Sequence, residues 1–170
     1  MSTRSSVSAT FVDAHAGMGV DAVSPSGFPL RFDTLSSGEG GIGASPTDTV
    51  LAALAACTAM DVASILRKKR QPFDAYRIEV TGQKQAAHPQ VFTAITVEHQ
   101  LTGPMTAEAV RRSVELSATA YCPVSAMLSA SVRIEHRYRI RRDGANHEEA
   151  ALVVVTGPGA IQRAGQAATG

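Results

Sequence analysis

The two cysteines are the residues best suited to chemistry in this chain. Cys57 and Cys122 are the only sulfhydryls among 170 residues, and 65 positions separate them. A secreted disulfide scaffold carries more cysteines at closer spacing, and neither cysteine has a second cysteine or a histidine within the spacing of a structural zinc motif. From residue type alone, two interpretations stay open: two buried thiols that behave as small apolar side chains, or a redox or nucleophilic pair.

The sequence around each cysteine favours redox chemistry. Cys57 lies in the middle of a predicted helix, where the helix dipole gives a thiolate little help, so its activation requires a cation from elsewhere in the fold. Cys122 precedes Pro123 at a helix end, where a loop can bring its sulfur toward another element. Such a pair suits peroxide reduction: one thiol attacks the peroxide oxygen and becomes a sulfenic acid, and the other resolves it as a disulfide. A reductant then restores both thiols by exchange.

A long helix must position Cys57. Ser45 at the N-cap, Pro46 at the first helical position and Asp48 in a capping-box position predict that this helix begins at residue 46. Basic residues predict its end near Arg70. Residues 50–62 are nearly all apolar, which is typical of a helix that is buried on every side. We therefore predict a central helix that packs against its copy in a homodimer.

Alternation of apolar and polar residues predicts the strands. A second helix follows Thr106, and a short third helix is possible at 125–129. The order β-β-β-α-β-β-α-(α)-β indicates an α+β fold. We assign residues 1–141 to one domain and residues 142–170 to a partly disordered C-terminal extension, with a loop at 142–150 and a tail from 156. The predicted strands are 7–12, 20–23, 28–32, 76–82, 91–101 and 132–140, and the apolar run 152–155 is either an edge strand or a partner contact.

Composition excludes several classes of protein. The chain has 16 Lys+Arg against 15 Asp+Glu, so it lacks the basic excess expected of a protein that binds nucleic acid or a membrane surface. No continuous apolar run approaches the roughly 18–20 residues of a membrane helix. Residues 1–6 lack the apolar stretch of a signal peptide. We therefore expect a cytoplasmic protein.

Three separated blocks carry a resemblance to a known family. Residues 45–68 resemble the central-helix signature of the OsmC/Ohr family, and residues 114–128 resemble its second-cysteine motif. Residues 88–93 resemble the turn between two of its strands. The similarity spans residues 7–140, and the Asp-Val-x-x-Ile-Leu run at Asp61–Leu66 is similar to one branch of the family.

The resemblance implies antiparallel sheets wrapped around a buried central helix, in an intertwined homodimer with two active sites at the subunit interface. It implies Cys57 as the peroxidatic thiol, Cys122 as the resolving thiol, organic hydroperoxides as substrates and a dithiol as reductant. It implies neither a metal nor an organic cofactor.

One position departs from the family pattern. The family's peroxidases place a glutamate directly after the helix-opening proline, where it pairs with an arginine that activates the thiol; here Thr47 occupies that position and Asp48 follows it. A helical step of about 100° turns Asp48 off that face, so Asp48 is either a substitute carboxylate in the catalytic site or a helix cap. Arg31 is either the activating arginine or a solvated strand residue.

Two functions therefore stay open. The first is a thiol-dependent hydroperoxide reductase that uses Cys57 and Cys122. The second is an OsmC-like homodimer without efficient peroxidase activity, which binds an apolar small molecule at the dimer interface. The pair of thiols favours the first, and Thr47 in place of glutamate favours the second.

Five further side chains have a possible role. His99 and His136 lie on predicted strands and are able to meet across a sheet, although two histidines without a carboxylate make a weak metal site. Glu115 either reaches toward Cys122 or belongs to a solvated helix face. Met60 and Met127 are predicted to pack in the core or to line an apolar substrate entrance.

Overall fold

A computed structural model describes residues 4–12, 18–34, 41–142 and 148–160. The chain divides into two units, residues 1–50 and residues 51–170. The first unit holds the predicted meander: β1 (Ser8–Phe11), β2 (Val20–Val23) and β3 (Pro29–Phe32), antiparallel and in the order β1-β2-β3. Gly27, with φ of 87°, makes the turn between β2 and β3.

The second unit is built from helices and one four-stranded sheet. The helix α1 begins at the end of the first unit and runs into the second. The sheet order is β4-β5-β6-β7, and the predicted α+β class is confirmed. The remaining elements are α1 (Pro46–Lys68), β4 (Ala75–Lys84), β5 (Phe92–Thr102), α2 (Ala107–Leu116), a π-helical stretch (Ser117–Tyr121), α3 (Pro123–Ser129), β6 (Arg133–Arg141) and β7 (Glu148–Thr156).

One strand pair in this sheet is parallel, whereas only antiparallel pairing was expected. β5 and β6 run in the same direction, in register from Ala94 opposite Arg133 to Thr102 opposite Arg141. Parallel neighbours require a crossover connection, and residues 103–132 supply it with α2, the π-helical stretch and α3. The alternation of side chains identifies the faces of a strand but not its direction, so the sequence pattern did not show this pairing.

The helices cover one face of the sheet. On β5 the buried residues alternate as Ile95, Val97, His99 and Leu101, and β6 buries every second residue from position 134. Two apolar clusters form between the layers. The first contains Val62, Leu66, Leu101, Met105, Val110, Val114, Tyr138 and Ile140, and the second contains Leu54, Ile95, Val97, Cys122, Val132 and Ile134. Each fully buried aliphatic side chain contributes about 1.5–3 kcal/mol by leaving water.

The helix α1 buries a single stripe in the isolated chain. Its buried residues, Leu54, Thr58, Val62 and Leu66, recur every fourth position, and the apolar side chains on its other faces are half-buried or exposed. The expectation of a helix wrapped on every side is therefore not met within one chain, because one sheet and its helices cover only one side of a cylinder. Met60 is 72% exposed.

By length and composition alone, α1 is able to cross a membrane. Its most apolar 18-residue window has a mean hydropathy of 1.9, and 22% of that window is buried. The expectation that no continuous apolar run reaches this length still holds, because Thr58 and Asp61 interrupt the apolar residues and the window is apolar only on average. Core helices of soluble proteins pass the same test, so this property does not by itself indicate a membrane span.

The end of α1 has a defined hydrogen-bond pattern. The amide of Gln71 donates to the carbonyl of Leu66 and that of Arg70 to the carbonyl of Arg67, both at 3.0 Å. These are the two bonds of a Schellman motif, which places Arg70 at the left-handed position with φ of 55°. The helix therefore ends two residues earlier than predicted, and its last carbonyls are satisfied.

The apolar run 152–155 belongs to an edge strand. β7 pairs antiparallel with β6, from Ile134 opposite Thr156 to Arg141 opposite Glu148. The predicted loop at 142–150 is thus too long, since β7 begins at Glu148, and the predicted tail begins too early because Thr156 still belongs to β7. Residues 143–147 and 161–170 lie outside the described residues, and the boundary between 141 and 142 stays a prediction.

Candidate functional site

Cys57 and Asp61 lie on the same face of α1. Four residues separate them, which brings two side chains of an α-helix within contact distance. Both side chains are half-buried. Cys57 packs at the margin of the second apolar cluster, beside Leu54 and Cys122.

Cys122 lies where the π-helical stretch ends. Its amide donates to the carbonyl of Ser117 at 2.9 Å, and the backbone at Cys122 then becomes extended. Its sulfur caps α3 by accepting a hydrogen bond from the amide of Ser125 at 3.3 Å, and Pro123 follows at the first helical position. The predicted placement of this thiol at a helix end is confirmed, with the side chain only 3% exposed.

The fold brings the two cysteines together. The sulfurs of Cys57 and Cys122 and a carboxylate oxygen of Asp61 all lie within 4.8 Å of one another. A disulfide needs about 2.05 Å between its sulfurs, and in this structure both cysteines are free thiols. The two thiols are therefore neighbours rather than residues in separate parts of the core.

Burial makes Cys122 a poor acid. Its pKa is raised to about 11, first because burial disfavours the charged form and next because its thiol is hydrogen-bonded to Cys57. The amides of Ser125 and Val124 oppose this increase by donating to the sulfur. Cys122 is consequently a neutral thiol near pH 7, and Cys57 is the more accessible of the two sulfurs.

Asp61 is a site residue that the sequence analysis missed. Its Oδ2 accepts a hydrogen bond from the hydroxyl of Ser117 at 3.0 Å, which fixes the carboxylate beside the thiols. No lysine, arginine or histidine forms an ion pair with Asp61 among the described residues. The four-residue spacing from Cys57 was the available signal, but an aspartate on a helix usually belongs to a solvated face.

A row of polar side chains in the core extends from Tyr76 to Ser125, whose amide bonds the sulfur of Cys122. The hydroxyl of Tyr76 bonds Nδ1 of His99 at 2.6 Å, the rings of His99 and His136 stack with centroids 6.3 Å apart, and Nε2 of His136 lies 3.4 Å from the hydroxyl of Ser125. The prediction that the two histidines meet is confirmed. Burial lowers the pKa of His99 to about 3, with His136 adding to the effect, and lowers that of His136 to about 4.

Tyr76, at the end of this row of side chains, is also held neutral. Burial raises the pKa of Tyr76 far above its ordinary value, and the charge of Asp61 adds to that increase. Nε2 of His99 and Nδ1 of His136 have no hydrogen-bond partner among the described residues. Neutral imidazoles are therefore enclosed within the core of the second unit.

Arg31 and Asp48 belong to the first unit. Arg31 forms a two-bond ion pair with Asp21 across β2 and β3, with Nε to Oδ1 at 2.5 Å and Nη2 to Oδ2 at 2.6 Å. This hydrogen bonding lowers the pKa of Asp21. Asp48 is exposed in the first turn of α1, beside Thr47. The catalytic roles of Arg31 and Asp48 stay predictions.

Three other expectations have definite outcomes. Glu115 pairs with Arg112 at 2.9 Å and Arg111 at 3.6 Å, so it belongs to a solvated helix face. Met60 and Met127 are 72% and 68% exposed, so the expectation that they pack in the core of the chain was wrong. Their alternative role at an apolar entrance stays a prediction.

Comparison with known proteins identifies several relatives. A family model described as OsmC-like protein matches residues 38–137. Protein YhfA of Escherichia coli K12 is 39% identical over 97 residues, which are 56% of this chain and 72% of YhfA.

Solved structures show the same fold. A hypothetical protein from Aquifex aeolicus matches with a TM-score of 0.72 and 22% identity, over 84% of this chain and 99% of that one. An organic hydroperoxide resistance protein OsmC from Legionella pneumophila, also described as a predicted redox protein, matches with a TM-score of 0.59 and 15% identity, over 81% and 96%. At these identities the likeness extends to the fold alone.

Proposed function

This chain belongs to the OsmC-like family, and from that premise we propose that it reduces organic hydroperoxides through Cys57 and Cys122. The observation that carries the proposal is the approach of the two sulfurs to within 4.8 Å. The Legionella relative described as an organic hydroperoxide resistance protein supports the choice of substrate class.

Cys57 is the attacking thiol in this proposal because its side chain is the more accessible of the two. Its thiolate attacks the terminal oxygen of the hydroperoxide, the O–O bond breaks, and the alkoxide takes up a proton to leave as an alcohol. Cys57 is thereby oxidised to a sulfenic acid. The carboxylate of Asp61, near both sulfurs, is the group best placed to accept the proton of the Cys57 thiol, directly or through a water molecule.

Cys122 resolves the sulfenic acid. Its sulfur attacks the sulfur of Cys57, a disulfide forms, and the hydroxyl group leaves as water with the proton of the second thiol. The position of Cys122 at a helix end supports this role, since the extended backbone there allows the small movement that a disulfide requires. An external dithiol then reduces the disulfide by exchange and is itself oxidised.

A homodimer is part of the proposal. The face of α1 that the chain leaves uncovered carries Val50, Ala52, Ala53, Ala56 and Met60, all exposed. Burying such a face against a second copy removes apolar surface from water at about 25 cal/mol per Å². We therefore take α1 as an interface helix of a cytoplasmic dimer and not as a membrane span.

A second function has its own support. A thiol is usually activated by a nearby cation, yet the charged group beside these thiols is a carboxylate. Without a cation, too little of the Cys57 thiol would be ionised to reduce peroxide efficiently. In that case the same dimer would bind an apolar small molecule at its interface, where the exposed side chains of Met60 and Met127 could contact it.

Peroxide consumption separates the two functions. The full-length reduced protein is mixed with cumene hydroperoxide and excess dithiothreitol, and wild type is compared with Cys57→Ser and Cys122→Ser. We expect Cys57→Ser to abolish turnover, because the thiol that remains in the site, Cys122, is buried and its pKa is raised to about 11. Ser26→Ala, an exposed change in the turn between β2 and β3, serves as the matched control.

Mass spectrometry defines the role of Cys122. After one equivalent of peroxide without reductant, wild type should lose two hydrogen atoms and yield a peptide that links Cys57 to Cys122. A stable sulfenic or sulfinic acid on Cys57 alone would exclude Cys122 as the resolving thiol. Absence of Cys57-dependent peroxide loss would reject the peroxidase and leave the binding function.

A further inference from the structure

We propose that the reduced chain binds one Zn²⁺ ion through Cys57, Asp61 and Cys122. The three side chains supply two sulfurs and one oxygen that converge on a single point beside α1. The metal site shares these residues with the proposed peroxidase but does not rest on that function, because metal binding involves no peroxide and no oxidation of the thiols.

The geometry suits a tetrahedral ion. Zinc binds sulfur at about 2.3 Å and carboxylate oxygen at about 2.0–2.2 Å, so its ligand atoms lie about 3.5–3.8 Å apart. The three atoms here lie within 4.8 Å of one another, so each needs to move only by about an ångström or less. Two ligands four residues apart on one helix face are a recurrent zinc arrangement.

The charge balance favours a cation at this point. The carboxylate of Asp61 has no ion-pair partner in the part of the chain that the structure describes. It is held in place by the hydroxyl of Ser117, a neutral donor. A carboxylate in a half-buried position gains more from a divalent cation than from water alone, because burial weakens its solvation. Thiolate sulfur adds the soft ligand character that selects zinc over magnesium or calcium.

The site is open on one side. Cys122 is buried, whereas Cys57 and Asp61 are partly exposed, so an ion is able to enter from solvent and keep a water molecule as its fourth ligand. Supporting contacts are also present: Ser117 holds Asp61, and the amide of Ser125 bonds the sulfur of Cys122 at 3.3 Å. Such contacts orient metal ligands in known sites.

Zinc binding exchanges the two thiol protons for the metal ion. Each thiol loses its proton as a sulfur–zinc bond forms, so two thiols, one carboxylate and Zn²⁺ give a complex of net charge minus one and two released protons. No electron transfer is involved. The sequence indicated no metal because neither cysteine has a partner at motif spacing; the ligands meet only after residues 103–132 have crossed the sheet.

Competition with a chromophoric zinc chelator tests the site in the full-length reduced protein. We expect wild type to take up one Zn²⁺ per chain. Asp61→Asn should weaken the affinity by about tenfold or more, since even changes to supporting residues cost about 10–100-fold. Cys57→Ser and Cys122→Ser should weaken it further, and protein oxidised to the disulfide should not compete. Asp74→Asn, an exposed carboxylate elsewhere, is the matched control and should equal wild type.

Cobalt provides a second measurement on wild type alone. Co²⁺ bound to these thiolates should give a sulfur-to-cobalt charge-transfer band and the intense visible bands of a four-coordinate ion. Absence of the charge-transfer band, or equal zinc affinity in wild type and all three variants, would overturn the site. Zinc uptake without peroxidase activity would reject only the proposed function. Peroxide turnover without zinc uptake would reject only the metal site.

Discussion

At the scale of single residues, the two thiols differ because their surroundings differ. Cys122 lies in an apolar cluster that raises its pKa to about 11, whereas Cys57 lies at the margin of that cluster and is partly exposed. Asp61 adds a carboxylate that both proposals use, as a proton acceptor in one and as a metal ligand in the other. If both proposals hold, peroxide and the metal ion compete for the same two sulfurs.

The buried histidines make the stability of the protein sensitive to acid. The pKa of His99 is lowered to about 3 and that of His136 to about 4, whereas in the unfolded chain each is about 6.5. Below about pH 6.5 the unfolded state binds protons that the native state does not, so the free energy of unfolding must fall as the pH falls. Above about pH 6.5 this contribution is complete.

Urea unfolding between pH 7 and pH 4.5 measures this dependence. We expect the free energy of unfolding to fall by up to about 1.4 kcal/mol per pH unit for each histidine. His136→Gln should reduce the slope by roughly half, and His88→Gln, in an exposed turn, should leave it unchanged. A free energy of unfolding that is constant over this range would contradict the buried neutral state.

Sequence reasoning identified Cys57 and Cys122 correctly as neighbours, but it did not identify Asp61. The cysteines were informative because the chain has only two and each lies in a recognisable block. Asp61 was not, because an acidic residue on a helix has no distinguishing pattern and its role depends on Cys122, which approaches from a distant segment. The hydrogen bond from Ser117 is likewise a contact between residues 56 positions apart.

At the scale of elements, the local sequence predicted where α1 begins and ends more accurately than it predicted what packs around the helix. Pro46 begins the helix as predicted, since proline is favoured at the first helical position. The end was less accurate because no glycine marks it: Arg70 adopts the left-handed conformation that glycine usually provides. The parallel pairing of β5 and β6 was not predictable, because it depends on the path of the connection and not on either strand.

Arg70→Gly should stabilise the protein. A residue with a side chain is strained at φ of 55°, and glycine removes that strain at some entropic cost in the unfolded chain. We expect a gain of about 0.5–1 kcal/mol, measured by urea unfolding. Arg67→Gly, within the last turn of the same helix, is the matched comparison and should instead cost about 1 kcal/mol.

Removing β7 should destabilise the second unit. A chain that ends at Arg142 leaves β6 without the antiparallel partner that it contacts from Ile134 to Arg141. The unpaired edge of β6 then becomes available to other chains, so we expect a lower urea midpoint and aggregation measured by light scattering. A chain that ends at Ala160 retains β7 and provides the comparison. An unchanged midpoint in the shorter chain would show that β7 contributes nothing to the fold.

At the scale of the whole molecule, the apolar excess of α1 is the feature that one chain does not explain. One stripe of the helix is buried within the second unit, and the opposite residues, including Met60, face outward. The sequence predicted a partner for this reason, although it wrongly predicted a core position for Met60. Side chains at a subunit interface have the composition of a core, so sequence alone does not distinguish the two.

Met60→Lys tests the dimer. A lysine buried without a partner costs about 3 kcal/mol or more, which corresponds to a dissociation constant more than a hundredfold higher. Sedimentation equilibrium at micromolar concentration should give a dimeric mass for wild type and a monomeric mass for the variant. Leu152→Lys, which changes another exposed apolar residue, should stay dimeric. A monomeric wild type would contradict the interface.

Protein synthesis separates the two thiols in time. A ribosome that adds about 5–20 residues per second releases Cys57 about 3–13 s before Cys122, because 65 positions lie between them. Strand β5 cannot pair with its parallel neighbour β6 until the whole connection of residues 103–132 has been synthesised. During that interval Cys57 is a solitary sulfur on a nascent chain, and an oxidant that reaches it meets no second thiol to prevent irreversible damage.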